Sequence, residues 1–398
     1  MKLSNRISGM QASPIRRLTP YADKARKTGK NVIPLNIGQP DIKTPASFFK
    51  ALDSFNESVL AYGSSEGNHD LISVIRDYYK GYDMNYDEDE IIITAGGSEA
   101  LMFAIMAVCD PGDNFLVAEP FYTNYNSFAQ INGVTVKGIT TKAEDGYHFP
   151  PKAEIESKID SKTRAFLLNN PCNPTGTVYT PDEVKMIIDI AVKHNLYIVA
   201  DEVYREFIYG GEKYRSFGSY PEGKDNVVIV DSVSKRYSAC GARIGCLASK
   251  NKDFNAAVMK LCQARLCVPT LEQIGAVELY KTPVSYFKEV NDEYKKRRDV
   301  TLAGLKKIPG VVCEEPKGAF YVAAKLPVDD AEKFIIWMLE NFDDNKDTLM
   351  MTPLEGFYAT KGLGKNEVRI AYVLEAPKLE RAMEVLGKAL EKYPGKTK

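Results

Sequence analysis

A chain of 398 residues exceeds the roughly 250–300 at which one hydrophobic core stops growing, so two lobes are expected. Hydrophobic residues make up 44% and charged residues 26%, a balance that excludes a disordered chain. A formal net charge of −1 excludes a global field that would recruit nucleic acid or an anionic membrane, so any phosphate must be held by a local site.

The N-terminal stretch MKLSNRISGMQASPIRR has no apolar h-region, and no segment reaches the ~18 apolar residues of a membrane span. A cytoplasmic protein with no DNA-binding module ahead of NIGQPD is therefore expected. From about Glu90 to Ser232, short β-branched runs alternate with longer helical patterns, the rhythm of a parallel sheet wrapped by helices. EIIITAG, FLVAEP, RAFLLNN, LYIVAD and NVVIVDS are near-continuous apolar runs, as strands covered on both faces require. Within this region Thr180-Pro181-Asp182-Glu183 combines an N-cap, proline at the first helical position and a capping-box glutamate. Val184, Ile187, Ile188, Ala191 and Val192 then form one apolar face.

Beyond Thr270 a helical pattern from Leu271 to about Lys307 is broken near Pro283. GAFYVAAKL, KFIIWMLENF, NEVRIAYVL and LERAMEVLGKALEKY follow and predict a smaller α+β lobe. The seven cysteines form no C-x-x-C pair, and His69, His148 and His194 are scattered, which points to reduced, buried thiols and no metal site.

Four features carry chemistry. Ser232-Val233-Ser234-Lys235 follows the strand NVVIVD directly, with Arg236 and Arg243 close behind. An amine becomes a carbonyl-capturing nucleophile only when partly deprotonated, which desolvation or a neighbouring cation promotes. Asp201 ends the strand LYIVAD, where open α/β sheets bind ligands, and Tyr204 follows three residues later. A carboxylate there can pair with a protonated ring nitrogen. NNPCNPTG, from Asn169 to Gly176, closes a strand with a turn that exposes amides, among them Asn173. Gly96-Gly97-Ser98-Glu99 lies between EIIITA and a helix beginning near Glu99, an arrangement suited to an anion. Each feature alone has an ordinary structural reading: a surface lysine, an N-cap, a bare turn, a capping serine. Their conjunction does not.

The string SVSKRYSACGARIG resembles the attachment motif for pyridoxal phosphate (PLP) in class I/II aminotransferases, members of the fold type I PLP enzymes. NNPCNPTG, ADEVY and PKGAFY resemble the other landmarks of that family in the same order, from NIGQPD near residue 36 to VRIAY near 370. The resemblance implies an α/β fold with a large PLP-binding lobe over residues 46–280, built on a mostly parallel seven-stranded sheet. A smaller α+β lobe would be formed by residues 1–45 and 281–398. Lys235 would hold PLP covalently and move the proton from the substrate Cα; Asp201 would pair with the pyridine nitrogen; Tyr204 and Asn173 would bond the ring oxygen. Tyr122 would stack on the cofactor, and Gly97, Ser98, Ser232 and Arg243 would hold its phosphate. Tyr62 would reach that phosphate from the neighbouring subunit of a homodimer with shared sites. Arg369 would grip the substrate α-carboxylate, with Gly38 and Asn173 nearby.

Two departures bear on specificity. Ser98 stands where some aspartate-using relatives carry lysine, and Leu354-Glu355 stands where many have a Pro-Gly turn. Arg265 first, then Arg16 and Arg17, are the candidate readers of a side-chain carboxylate. The leading expectation is transamination between an L-amino acid, aspartate first and aromatic or alanine-type next, and a 2-oxo acid such as 2-oxoglutarate. The alternatives are a C–S β-lyase of the same fold and a ligand-sensing domain without turnover.

Overall fold

The computed structural model describes residues 1–397 and sets the chain into three sheets. β1 (Asn31–Pro34) comes first, followed by β2 (Ile91–Thr94), β3 (Asn114–Glu119), β4 (Thr135–Thr140), β5 (Thr163–Asn169), β6 (Tyr197–Asp201), β7 (Val227–Ser232) and β8 (Gly245–Ser249). β9 (Tyr321–Lys325), β10 (Asp347–Met350), β11 (Thr352–Pro353) and β12 (Glu367–Ala371) complete the set.

The largest sheet has the order β2-β8-β7-β6-β5-β3-β4. β3 to β7 pair in parallel, and β8 alone runs antiparallel, between β2 and β7. Alternate residues enter two different cores: Phe166, Leu168, Ile198 and Ile229 on one face, Leu167, Val199, Val228 and Val230 on the other. Both faces are thus covered, which is why these strands read as unbroken apolar runs. β4 and β8 are additions to the predicted set. β4 is a half-exposed edge strand carrying Lys137 and Gly138, and β8 is a short run of small residues, so neither shows the expected signature.

The helix Pro181–His194 starts as its sequence dictates. Thr180 Oγ1 accepts from Glu183 N at 3.2 Å while Glu183 Oε2 accepts from Thr180 N at 2.8 Å. Val184, Ile187, Ile188 and Ala191 are buried, but Val192 is 46% exposed, a correction to the predicted face. At 100° per residue it falls about 80° round the helix from Val184, beyond the rim of the stripe. Pro283 separates two helices, Thr270–Tyr280 and Val284–Leu305, where one interrupted pattern was expected.

The remaining strands form an antiparallel sheet, β11-β12-β9, and a parallel pair, β1-β10. Their core gathers residues from both chain ends, including Leu18, Leu35, Leu302, Phe334, Ile370 and Leu386. All seven cysteines are free; Cys109, Cys172, Cys246 and Cys262 are buried, whereas Cys240, Cys267 and Cys313 are only half-buried. No helix among the described residues is long and apolar enough to cross a membrane.

Candidate active site

The strand ends of the large sheet define one edge, and the functional side chains collect there. β5 delivers Asn169, β6 delivers Asp201 and β7 delivers Ser232 as their last residues. Because β8 runs antiparallel, its first residue, Gly245, lies opposite Ser232, and this brings Arg243 to the same edge. A cavity of about 250 Å³ opens over this edge. Gly38, Gly97, Ser98, Tyr122, Asn173, Asp201, Tyr204, Ser232, Lys235, Arg243 and Arg369 all line it. Tyr62 does not; it is 81% exposed on the outer surface.

Lys235 sits in a short helix, Val233–Arg236, whose N-cap is Ser232; the Ser232 hydroxyl accepts from Ser234 N at 3.0 Å. The Lys235 ammonium donates to the Gly38 carbonyl at 3.0 Å. Gly38 cannot be larger, since a Cβ there would lie 1.8 Å from Tyr321 Oη. Arg236 faces the other way, with Nη2 at 2.8 Å from both oxygens of the fully buried Asp231. Arg205 Nη1 meets the same carboxylate at 2.7 Å and turns its other nitrogens to Glu202. Burial raises the proton affinity of Asp231, but the two guanidinium groups outweigh it and hold the carboxyl below the usual range. This ion cluster ties the segment carrying Tyr204 to the segment carrying Lys235 from beneath.

The phosphate-sized end of the cavity is built by Gly96 and the helix Gly97–Val108. Gly96 adopts φ +82°, and a Cβ on it would lie 2.5 Å from Arg243 Nη2. That turn starts the helix two residues ahead of Glu99, correcting the predicted start; the Glu99 side chain folds back to accept from Ala95 N at 2.8 Å. Arg243 holds a left-handed φ of +53° and donates through Nη1 to Cys240 O at 3.1 Å. Helix N–H groups, Ser98, Ser232, Ser234 and Arg243 thus converge where an anion can be bound.

Asp201 is buried, and its two oxygens differ. Oδ2 accepts from Tyr125 Oη at 2.7 Å, whereas Oδ1 has no partner. Burial, the largest influence, pushes this carboxyl up to about 6 against the opposing bond from Tyr125. A buried carboxylate oxygen without a donor calls for a cation or N–H within the cavity, and a protonated pyridine nitrogen supplies one. Tyr204 and Tyr321 hydrogen-bond through their hydroxyls at 2.9 Å. Asn173 is positioned by Asn169, whose Oδ1 accepts from Asn173 N at 2.6 Å. Arg369 is fully buried on β12: Nη1 donates to Asn173 Oδ1 at 2.9 Å, Nη2 to Asn36 O, and Nε has no partner. Its guanidinium lies 4.6 Å from the Tyr321 ring centroid.

The sequence pointed to neither Tyr125, Tyr321 nor Asn36 as site residues. Tyr321 lay within the recognised string PKGAFY, and Tyr125 lies three residues after Tyr122, so both were in view without a role. Of the candidate carboxylate readers, Arg265 is held by Ser65 O at 3.0 Å and Glu99 at 3.6 Å, and Arg17 is paired with Glu332. Neither lines the cavity; Arg16 does. Leu354 is buried, and the turn Glu355–Phe357 docks beside Tyr122, its Gly356 carbonyl accepting from Thr123 Oγ1 at 3.2 Å.

A seven-stranded sheet carrying a lysine, a buried aspartate and an anion cradle at one edge defines a PLP enzyme of fold type I. The family model for aminotransferase class I and II matches residues 30–386, so the chain belongs to that family and is a PLP-dependent aminotransferase. It is 30% identical to an aspartate aminotransferase of Bacillus subtilis, covering 99% of this chain and 100% of that one. It is also 30% identical to a probable aspartate/prephenate aminotransferase of Aquifex aeolicus, over 98% of each chain. Among solved structures, an alanine aminotransferase from Pyrococcus furiosus superposes with a TM-score of 0.90 at 30% identity, over 98% of this chain and 100% of that one.

Proposed function

We propose that this aminotransferase moves the amino group of an L-amino acid, aspartate first and alanine or aromatic donors next, to a 2-oxo acid such as 2-oxoglutarate in a ping-pong cycle. The observation that carries this reading is the convergence of Lys235, the half-satisfied carboxylate of Asp201 and the buried Arg369 on one cavity. PLP, when bound, supplies the electron sink that makes the Cα–H of an attached amino acid acidic. Lys235 removes and returns that proton, reaching the cavity from its short helix. Asp201 Oδ1 keeps the ring nitrogen protonated, and Asn173 and Tyr204 bond the ring oxygen. Tyr122 covers one ring face, while Gly97, Ser98, Ser232 and Arg243 hold the phosphate. Arg369 grips the α-carboxylate beside Gly38 and so orients Cα–H toward Lys235.

The outward position of Tyr62 supports a homodimer in which this residue completes the partner's phosphate site. Residues 46–280 would then form the cofactor lobe and residues 1–45 with 281–398 the lobe that meets it across the cavity.

The test is a half-reaction panel: single amino acids are added to purified holoenzyme and the cofactor absorption is followed. Aspartate should convert the cofactor, and added 2-oxoglutarate should restore it with formation of glutamate. Pyruvate and ammonia released from cystathionine without an acceptor would instead establish the β-lyase, and a protein that takes up no PLP would overturn both.

A further inference from the structure

The charged residues lining the cavity are Arg16, Asp201, Lys235, Arg243 and Arg369, four cations against one carboxylate. The proposed roles consume all but one of them. Asp201 faces the ring nitrogen, Lys235 the reacting carbon, Arg243 the phosphate and Arg369 the α-carboxylate. Arg16 is left over. It is solvent-exposed, and among the described residues no carboxylate pairs with it, whereas its neighbour Arg17 is taken up by Glu332.

The backbone that carries Arg16 is anchored in spite of that exposure. It lies in a turn in which Arg16 N and Arg17 N both donate to Ser13 O, at 3.0 and 2.9 Å, flanked by the buried Pro14 and Leu18. The Ile15 carbonyl of this turn accepts from Asn36 Nδ2 at 3.0 Å, and the carbonyl of that same asparagine accepts from Arg369 Nη2. One residue therefore sets the spacing between the turn that carries Arg16 and the guanidinium that faces the α-carboxylate. Ile15 and Ile37 also line the cavity and offer apolar surface to a short methylene chain.

We propose that Arg16 is the specificity-determining residue that reads the distal carboxylate of a dicarboxylic amino acid or 2-oxo acid, with Asn36 positioning it relative to Arg369. This rests on the transaminase reading and deepens it. It rests on Arg16 being, of Arg265, Arg17 and Arg16, the candidate that lines this chain's own cavity.

Two measurements on the holoenzyme test it. In the first, kcat/KM for aspartate is divided by kcat/KM for alanine in wild type, Arg16→Gln and Arg16→Lys. Arg16→Gln should lower the ratio about ten-fold, a moderate loss because an exposed charge is partly screened, and Arg16→Lys should restore part of it. In the second, calorimetry compares binding of the unreactive anions succinate and butyrate. Wild type should favour succinate, and Arg16→Gln should erase most of that preference. If wild type binds both anions equally, or if Arg16→Gln leaves the aspartate/alanine ratio unchanged, the proposal is overturned. Should no amino acid convert the cofactor, the transaminase reading fails by itself, and the succinate–butyrate comparison still decides the role of Arg16.

Discussion

Tyr125 donates a 2.7 Å hydrogen bond to Oδ2 of Asp201, while Oδ1 of the same carboxylate is buried without a partner. The protein thus fixes one oxygen from behind and leaves the other for the cavity. Tyr125→Phe removes that anchor with little change in volume. A hydrogen bond to a charged acceptor is worth about 1.5–3 kcal/mol, so PLP affinity should fall roughly ten-fold or more. Absorbance titration of the apoprotein with PLP measures this, and undiminished affinity would show that the bond plays no part in holding the cofactor.

Asp201 also predicts a pH dependence of the apoprotein. Burial raises its folded-state value to about 6 from an ordinary 3.8, so the folded state binds this proton more tightly than the unfolded one. The contribution is fully present below the ordinary value and is lost as pH rises through about 6. Asp201→Asn removes the titration. The denaturation free energy of wild type relative to Asp201→Asn should therefore improve by about 1 kcal/mol on going from pH 7 to pH 5. A pH-independent difference between the two proteins would contradict the assignment.

Beneath the site, Asp231 holds Arg205 at 2.7 Å and Arg236 at 2.8 Å with all three side chains fully buried. Asp231→Ala takes from the buried Arg236 its carboxylate and leaves Arg205 with Glu202 alone, and its expected cost is about 3–5 kcal/mol. Urea denaturation of the apoprotein reads the loss. A midpoint equal to wild type would mean that water or a neighbouring group replaces the carboxylate.

Lys235→Ala should retain PLP through the phosphate and Asp201 contacts while turnover falls by roughly 10²–10⁴-fold, the usual weight of a positioned general base. The retained cofactor, seen by absorbance, separates a lost base from a lost site. Wild-type turnover in this variant would refute the role of Lys235.

How far the sequence carried depends on the range of the interactions involved. The Thr180–Glu183 cap and the break at Pro283 are local, and the residues that make them are adjacent in the chain. The central strands were legible because burial on both faces leaves them unbroken by polar residues. β8 was not, because its direction and its place between β2 and β7 are set by partners far away in sequence. The same holds in the site. Lys235, Asp201 and Arg369 follow recognisable strings, but the bond from Tyr125 to Asp201 and the bridge from Asn36 to Arg369 exist only once distant segments meet. Among Arg265, Arg17 and Arg16, the placement of Arg16 in this chain's own cavity depends on the fold bringing the turn at Ser13 beside Asn36, which no local string announces.

The pairing of β1 with β10, Asn31 against Asp347, has a consequence for how the protein is made. At roughly 5–20 residues per second, a ribosome leaves the first of these strands waiting between about a quarter of a minute and a minute for the second. Throughout that interval Val32 and Ile33, which end up buried, have no native neighbour on β10 to cover them. The cavity is finished later still, when Arg369 emerges. The nascent chain can thus fold its large sheet early, while amino-acid binding is withheld until the strand carrying Arg369 has been made.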